Sequence, residues 1–271
     1  MDNLSLEVKE LLNLIDKKPA CRQAGQKMVA MLAPSFPVDF NFPEVIGMLK
    51  RVGFKYVAEV TRGAIETNNQ LLELLKKYPE KRWITNPCPN IVRLIKNKFP
   101  ELVQYLTSID SPMSATAKIV AKKWPKFKKV FIGPCLAKKL EAKEDWPDLD
   151  ILVITYKELK QVFEIKNIVS DKKDLKAKFD IKGTGTELYP ISGGLAQSSC
   201  LNEKLTNPEM DIISGPVVVN EFLTKFLTDK KDVKVLDILS CDGGCVNGPG
   251  TFLKDSLDKR RQRVINYWSK R

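Results

Sequence analysis

Val233-Lys-Val-Leu-Asp-Ile-Leu-Ser-Cys241-Asp-Gly-Gly-Cys245-Val-Asn-Gly-Pro-Gly250 runs from an apolar, strand-like segment into two thiols set among glycines. Such a segment presents sulfur and bare backbone together at the end of a strand. Glycine admits close approach and positive φ, so successive N–H groups of such a segment can point inward at an anionic cluster or its inorganic sulfides. In an open α/β sheet the carboxyl ends of strands are where ligands collect.

Two further cysteines sit in similar settings, in Ile84-Thr-Asn-Pro-Cys88-Pro89 and in Val130-Phe-Ile-Gly-Pro-Cys135-Leu-Ala-Lys138. Each reads as strand, sharp turn, cysteine, then helix. A lone buried cysteine is most often a small hydrophobe. Cys88 and Cys135 gain their weight from the glycine-flanked pair with which they would converge. Four thiolates are the usual complement of a 4Fe-4S cluster or a structural zinc. Zinc sites favour close Cys-x-x-Cys pairs, and two of these four cysteines are isolated, which points to the cluster.

On these segments the chain resembles the catalytic H-cluster domain of the iron-iron hydrogenases, whose signatures have the forms T-S-C-C-P, M-P-C-x-x-K-x-x-E and M-A-C-x-x-G-C-x-x-G-G-G. Thr85 to Pro89 lies over the first, Gly133 to Glu141 over the second and Leu239 to Gly250 over the third. Between them, Ala33-Pro34-Ser35, Asp110-Ser111-Pro112 and Ser192-Gly193-Gly194 match further family turns, so the likeness spans residues 27 to 250. The resemblance implies that Cys88, Cys135, Cys241 and Cys245 hold a 4Fe-4S cluster. By the same likeness Cys245 bridges to a two-iron subcluster carrying carbonyl and cyanide. Lys138 would hydrogen-bond a cyanide with Ser35 and Ser111, and Pro34, Gly243, Gly244 and Glu141 would line the cofactor. A buried Lys138 is costly without a partner charge, which an anionic iron centre supplies.

The departures from the family pattern matter as much. Pro87 stands where the family carries the cysteine that donates protons to the distal iron, and proline has no acidic proton. Gly133 and Leu239 replace motif methionines, Met113 replaces a glutamine, and the acidic pair of the family's proton path falls near Gln70 and Glu73. The ending Asn247-Gly-Pro-Gly250 is closer to sensory branches of the family. The expectation is a hydrogenase-like iron-sulfur protein interconverting protons, electrons and dihydrogen at low turnover. The alternatives are a hydrogen or redox sensor with the same cofactor, or a 4Fe-4S protein without the two-iron group.

Composition bounds the rest. The chain has 271 residues, a net charge of +12, six cysteines and no histidine. Imidazole is therefore absent from every catalytic or ligand role. Cys21 and Cys200 have no assigned role, and no further cluster motif is present. Electrons are thus expected from a ferredoxin-like carrier, and by resemblance hydrogenase maturation proteins supply the two-iron group. The basic charge raises nucleic-acid binding. The lysines are dispersed among acidic residues and no such motif occurs, so nucleic acid is not expected as a partner. No segment nears the roughly twenty apolar residues that span a bilayer, and Met1 to Lys18 reads as a charged amphipathic helix, so a cytoplasmic protein without a membrane partner is expected.

Periodicity predicts an α/β fold of two lobes, each a mostly parallel sheet flanked by helices, with the cluster in the cleft between them. The expected divisions are an N-terminal helix and linker over 1–26, lobes over 27–110 and 111–250, and a C-terminal helix over 251–271. Predicted strands are Lys27 to Leu32, Tyr56 to Val60, Trp83 to Thr85, Lys129 to Ile132, Ile151 to Thr155, Met210 to Ile213 and Val233 to Leu239. Predicted helices include Leu4 to Ile15, Phe42 to Val52, Glu66 to Lys77, Ile91 to Lys98, Tyr156 to Phe163, Val219 to Leu227 and Lys254 to Trp268. The charged stretch Ser170 to Lys182 reads as a solvated excursion.

Overall fold

The structure is a computed structural model that describes residues 4–16, 27–201, 205, 209–228 and 233–271. Cys21 lies outside the described residues. In chain order the main elements are α1 (Leu6–Asp16), β1 (Met28–Leu32), α2 (Glu44–Val52), β2 (Tyr56–Glu59), α3 (Thr61–Lys77), β3 (Trp83–Ile84), α4 (Pro89–Lys98), α5 (Pro112–Lys123) and β4 (Lys128–Gly133). They continue with α6 (Ala137–Leu140), β5 (Ile151–Thr155), α7 (Tyr156–Ile165), α8 (Gly194–Ser198), β6 (Met210–Ser214), α9 (Pro216–Lys225), β7 (Val235–Leu239) and α10 (Leu257–Trp268). α6 runs on into a π turn over Glu141–Asp145.

Two parallel sheets result, ordered β2-β1-β4-β5 and β3-β7-β6. In the first, Ala30 pairs with Val57 on one side and Val130 on the other. In the second, Ile84 pairs with Leu236, and Asp211 pairs with the same residue from the other side. β1 is buried along its whole length, and β4 everywhere but its first residue, as near-continuous apolar runs in parallel sheets require. α1, α2, α5 and α7 bury their apolar faces in the core of the first sheet; α4 and α9 do so in that of the second.

The sheets do not divide at residues 110 and 111 as the chain order predicts. β3, early in the sequence, joins β6 and β7, whereas β4 and β5 join β1 and β2. Parallel neighbours are linked by crossovers, so a local pattern identifies a strand without identifying its partner. The two-residue β3 pairs with Val235 and Leu236 on one side and is bridged by Leu106 on the other.

The stretch from 170 to 182 is largely exposed, as expected of a solvated excursion, but it is anchored at two carboxylates. Asp174 is buried and receives Arg51 through Nη2 at 2.7 Å and Nε at 3.1 Å. Asp180 N–H donates to Val57 O at 2.8 Å and its carboxylate accepts from Val57 N–H at 2.9 Å, so the segment covers the edge of β2. α10 begins at Leu257, later than the expected Lys254, because Ser256 caps it by accepting from Lys259 N–H. No described helix is long and apolar enough to cross a membrane.

Candidate metal centre

Three strand ends deliver the cysteines, and each turn is pinned by its neighbours. After β3, Asn86 N–H donates to Thr107 Oγ1 at 3.1 Å and Asn86 Nδ2 to Ile109 O at 2.9 Å. This holds the turn that leads to Cys88, the extended N-cap residue of α4. After β4, Pro134 O accepts from Gly250 N–H at 2.7 Å, tying the Cys135 turn to the segment beyond Cys245. After β7, the chain folds back on itself, with Gly244 N–H donating to Cys241 O at 3.0 Å.

Gly243 and Gly244 adopt φ of +72° and +102°, which side-chain-bearing residues rarely take. A Cβ on Gly244 would also meet Pro190 O at 2.5 Å. Their N–H groups are taken up within the protein, Gly243 by Ser214 Oγ at 3.2 Å and Gly244 by Cys241 O. The expected inward-pointing donors are therefore engaged elsewhere, and these glycines serve the turn itself.

Cys88, Cys135, Cys241 and Cys245 line one cavity between the two sheets, and all four are free thiols. Burial pushes the Cys241 thiol up to about 12, with Cys88 and Cys135 adding to the effect. Burial raises the Cys245 thiol as well, reinforced by the other three sulfurs and drawn back by the Lys138 charge. Cys135 is raised by burial and by Cys88, and is drawn back by the Lys138 charge and the N–H groups of Lys138 and Ala137. Such thiols ionise together only around a strongly cationic group. No group of three or more Cys, Asp or Glu among the described residues is arranged to hold a single metal ion. The donor set therefore fits a polynuclear iron-sulfur cluster, in which each cysteine sulfur binds a different iron, better than it fits a single zinc ion.

A second, mostly apolar cavity adjoins the first. Cys245, Cys135 and Leu239 line both. Pro34, Ser35 and Lys138 face this second cavity, together with Pro87 and Met113. Ser35 Oγ lies 2.7 Å from Tyr156 OH, which donates to Ala33 O at 3.0 Å. Lys138 Nζ donates to Pro87 O at 3.1 Å and to Glu141 Oε2 at 2.5 Å. Glu141 is buried and its other oxygen accepts from Ser111 Oγ. Ser111 thus reaches the cavity only through Glu141 and Lys138. The lysine finds its partner charge within the protein.

Gln70 and Glu73 stand apart. Gln70 bonds Asp110, whose carboxylate takes Lys118 at 2.6 Å, and Glu73 lines a separate depression with Lys76 and Leu201. Two polar groups of the second cavity escape a sequence reading. Asp237, 3 % exposed in the middle of β7, accepts from Ala196 N–H at 3.3 Å, and burial pushes its carboxyl up to about 6. Tyr189 OH is buried with no hydrogen-bond partner. A carboxylate inside the apolar run Val235-Leu-Asp-Ile-Leu239 was the available signal for the first.

Comparison with known proteins adds to this geometry. Residues 26–249 match the family model described as iron only hydrogenase large subunit, C-terminal domain. Iron hydrogenase 1 of Clostridium pasteurianum is 24% identical over 90% of this chain and 51% of its own length. The cytosolic Fe-S cluster assembly factor NAR1 of Kluyveromyces lactis is 27% identical over 77% of this chain and 46% of its own. The chain thus spans about half the length of these curated relatives. Among solved structures, an apo [FeFe]-hydrogenase from Chlamydomonas reinhardtii superposes with a TM-score of 0.73 at 20% identity, covering 96% of this chain and 88% of that one. That likeness is one of fold.

Proposed function

The chain belongs to the family of the iron only hydrogenase large subunit, C-terminal domain, and from that membership we propose that it holds a 4Fe-4S cluster on Cys88, Cys135, Cys241 and Cys245 and a two-iron group in the adjoining cavity. The observation that carries this reading is that the two cavities share a wall on which the thiols of Cys135 and Cys245 both lie, Cys245 being the one that the family resemblance makes the bridge. A sulfur so placed can serve a ligand in each.

When bound, the two-iron group would supply a site at which protons and electrons combine into dihydrogen. The chain's own residues do the rest. Lys138 presents its ammonium to the cavity from a fixed position, held by Glu141 and the Pro87 carbonyl. Ser35 adds a hydroxyl anchored on Tyr156. Met113, Leu195, Ile238 and Leu239 make the cavity apolar, which excludes water and strengthens electrostatic interactions inside it. Pro87 faces the cavity without a proton to give. Slow hydrogen turnover follows, with a ferredoxin-like carrier as electron source, maturation proteins as the source of the two-iron group, and the cytoplasm as the compartment.

One observation favours a second reading, in which only the cubane is held. Lys138 already has a carboxylate and a carbonyl as partners, so it does not need an anionic occupant. A relative named as an Fe-S cluster assembly factor accords with it. Dihydrogen evolution after loading with a synthetic two-iron cofactor separates the two. Slow but measurable evolution supports the first reading; none at all, with the cubane present, supports the second.

A further inference from the structure

The helix α10 lies beyond the residues matched by the family model, yet it packs on the turn that carries two of the ligands. Val264 joins Val38 and Val246 in a small apolar cluster, with Leu257 against it. Arg260 fixes the helix to the backbone just after Cys245. It donates to Asn247 Oδ1 at 2.9 Å, Thr251 Oγ1 at 3.3 Å and Leu253 O at 2.8 Å.

With Arg260 clamped, its neighbour Arg261 is set over Gly243, midway between Cys241 and Cys245. A Cβ on Gly243 would lie 3.1 Å from Arg261 Nη2 and 2.6 Å from both Leu257 methyls. Glycine at this position leaves room for Leu257 and the guanidinium to close on the turn. Arg261 Nε is buried and donates to nothing. The Asp258 carboxylate paired with this guanidinium is 3.8 Å away and 93% exposed, where water screens it. Asp242, the turn's own carboxylate, lies against Gly215.

We propose that Arg261 sets the reduction potential of the iron-sulfur cluster, placing a positive charge on the bare backbone between two of its ligands. This rests on the reading that the four cysteines hold a cluster. Reduction adds a negative charge to the cluster, so a nearby fixed cation stabilises the reduced form and raises the potential. Arg261 is a third exposed, so salt weakens the effect.

The test is a redox titration followed by electron paramagnetic resonance on the cluster-loaded full chain. R261Q should bind the electron about tenfold more weakly, a potential ~59 mV more negative for a one-electron couple. R261K should recover most of the difference. R263Q removes a charge from the same helix where Asp255 already neutralises it at 2.6 Å, and should leave the potential near the wild-type value. Should R261Q lose the cluster, R261M keeps the aliphatic stem over the turn and gives the same comparison. A loaded R261Q or R261M with an unchanged potential, or R261K shifted as far as R261Q, overturns the proposal while leaving the cluster assignment intact. A wild-type chain that loads no cluster overturns the assignment beneath it.

Discussion

Lys138 Nζ and Glu141 Oε2 meet at 2.5 Å, three residues apart, with their side chains 10% and 6% exposed. An ion pair this deep is retained against the cost of removing both charges from water, and Ser111 occupies the second carboxylate oxygen.

Removing one partner should therefore be severe. Glu141→Gln is expected to cost about 3–5 kcal/mol in denaturant unfolding of the apoprotein. Glu144→Gln, which breaks only a partly exposed pair with Arg93, should cost under about 1 kcal/mol. Loading the anionic cofactor should return part of the Glu141→Gln loss by giving Lys138 a new partner. Equal losses in the two variants would show that the buried pair is not a major element of stability.

Serine substitutions separate ligands from bystanders. Any one of Cys88, Cys135, Cys241 or Cys245 changed to serine should sharply lower iron and sulfide content after anaerobic reconstitution, whereas exposed Cys200 changed to serine should not. Uniform losses across all five variants would contradict the assignment.

The gathering of the four cysteines was legible in the sequence because parallel strands carry their carboxyl ends on one side, where the residues that follow them collect. Pro87 is legible for the same reason, being fixed by its neighbour Cys88. The partners were not. Trp83 pairs with Val235 across the length of the chain, and no local pattern in either strand specifies the other. Glu141 at three residues from Lys138 fits a solvated helix face as well as a buried pair, and only the packing of Ser111 decides. Gly243 suggested inward N–H groups, yet Ser214, distant in sequence, takes its donor. Asp174 lies in a charged run, and its burial depends on Arg51 across the fold.

Proton supply should limit turnover. Pro87→Cys places a thiol at the cavity wall, and general acids contribute about 100 to 10,000-fold, so a visible gain in dihydrogen evolution is expected even from a poorly connected thiol. No gain in a variant that loads the complete cofactor would show that protons enter by another route.

Asp237 should make stability fall as pH rises. Its carboxyl is raised from 3.8 to about 6 by burial, so the fold favours the protonated form. The associated stabilisation is complete below about pH 4 and is lost as pH climbs through about 6. Asp237→Asn should flatten this profile and leave the apoprotein more stable at pH 8, by up to about 3 kcal/mol. Parallel stability profiles for the two proteins between pH 4 and 8 would contradict the burial argument.

Infrared spectroscopy of the anaerobically reconstituted protein, after addition of a synthetic two-iron cofactor, bears most directly on a two-part centre joined at Cys245. Carbonyl and cyanide bands from a protein-bound group are expected in the wild type, and their loss is expected in Cys245→Ser. A wild-type protein that carries its cubane yet shows no such bands would contradict the two-part centre.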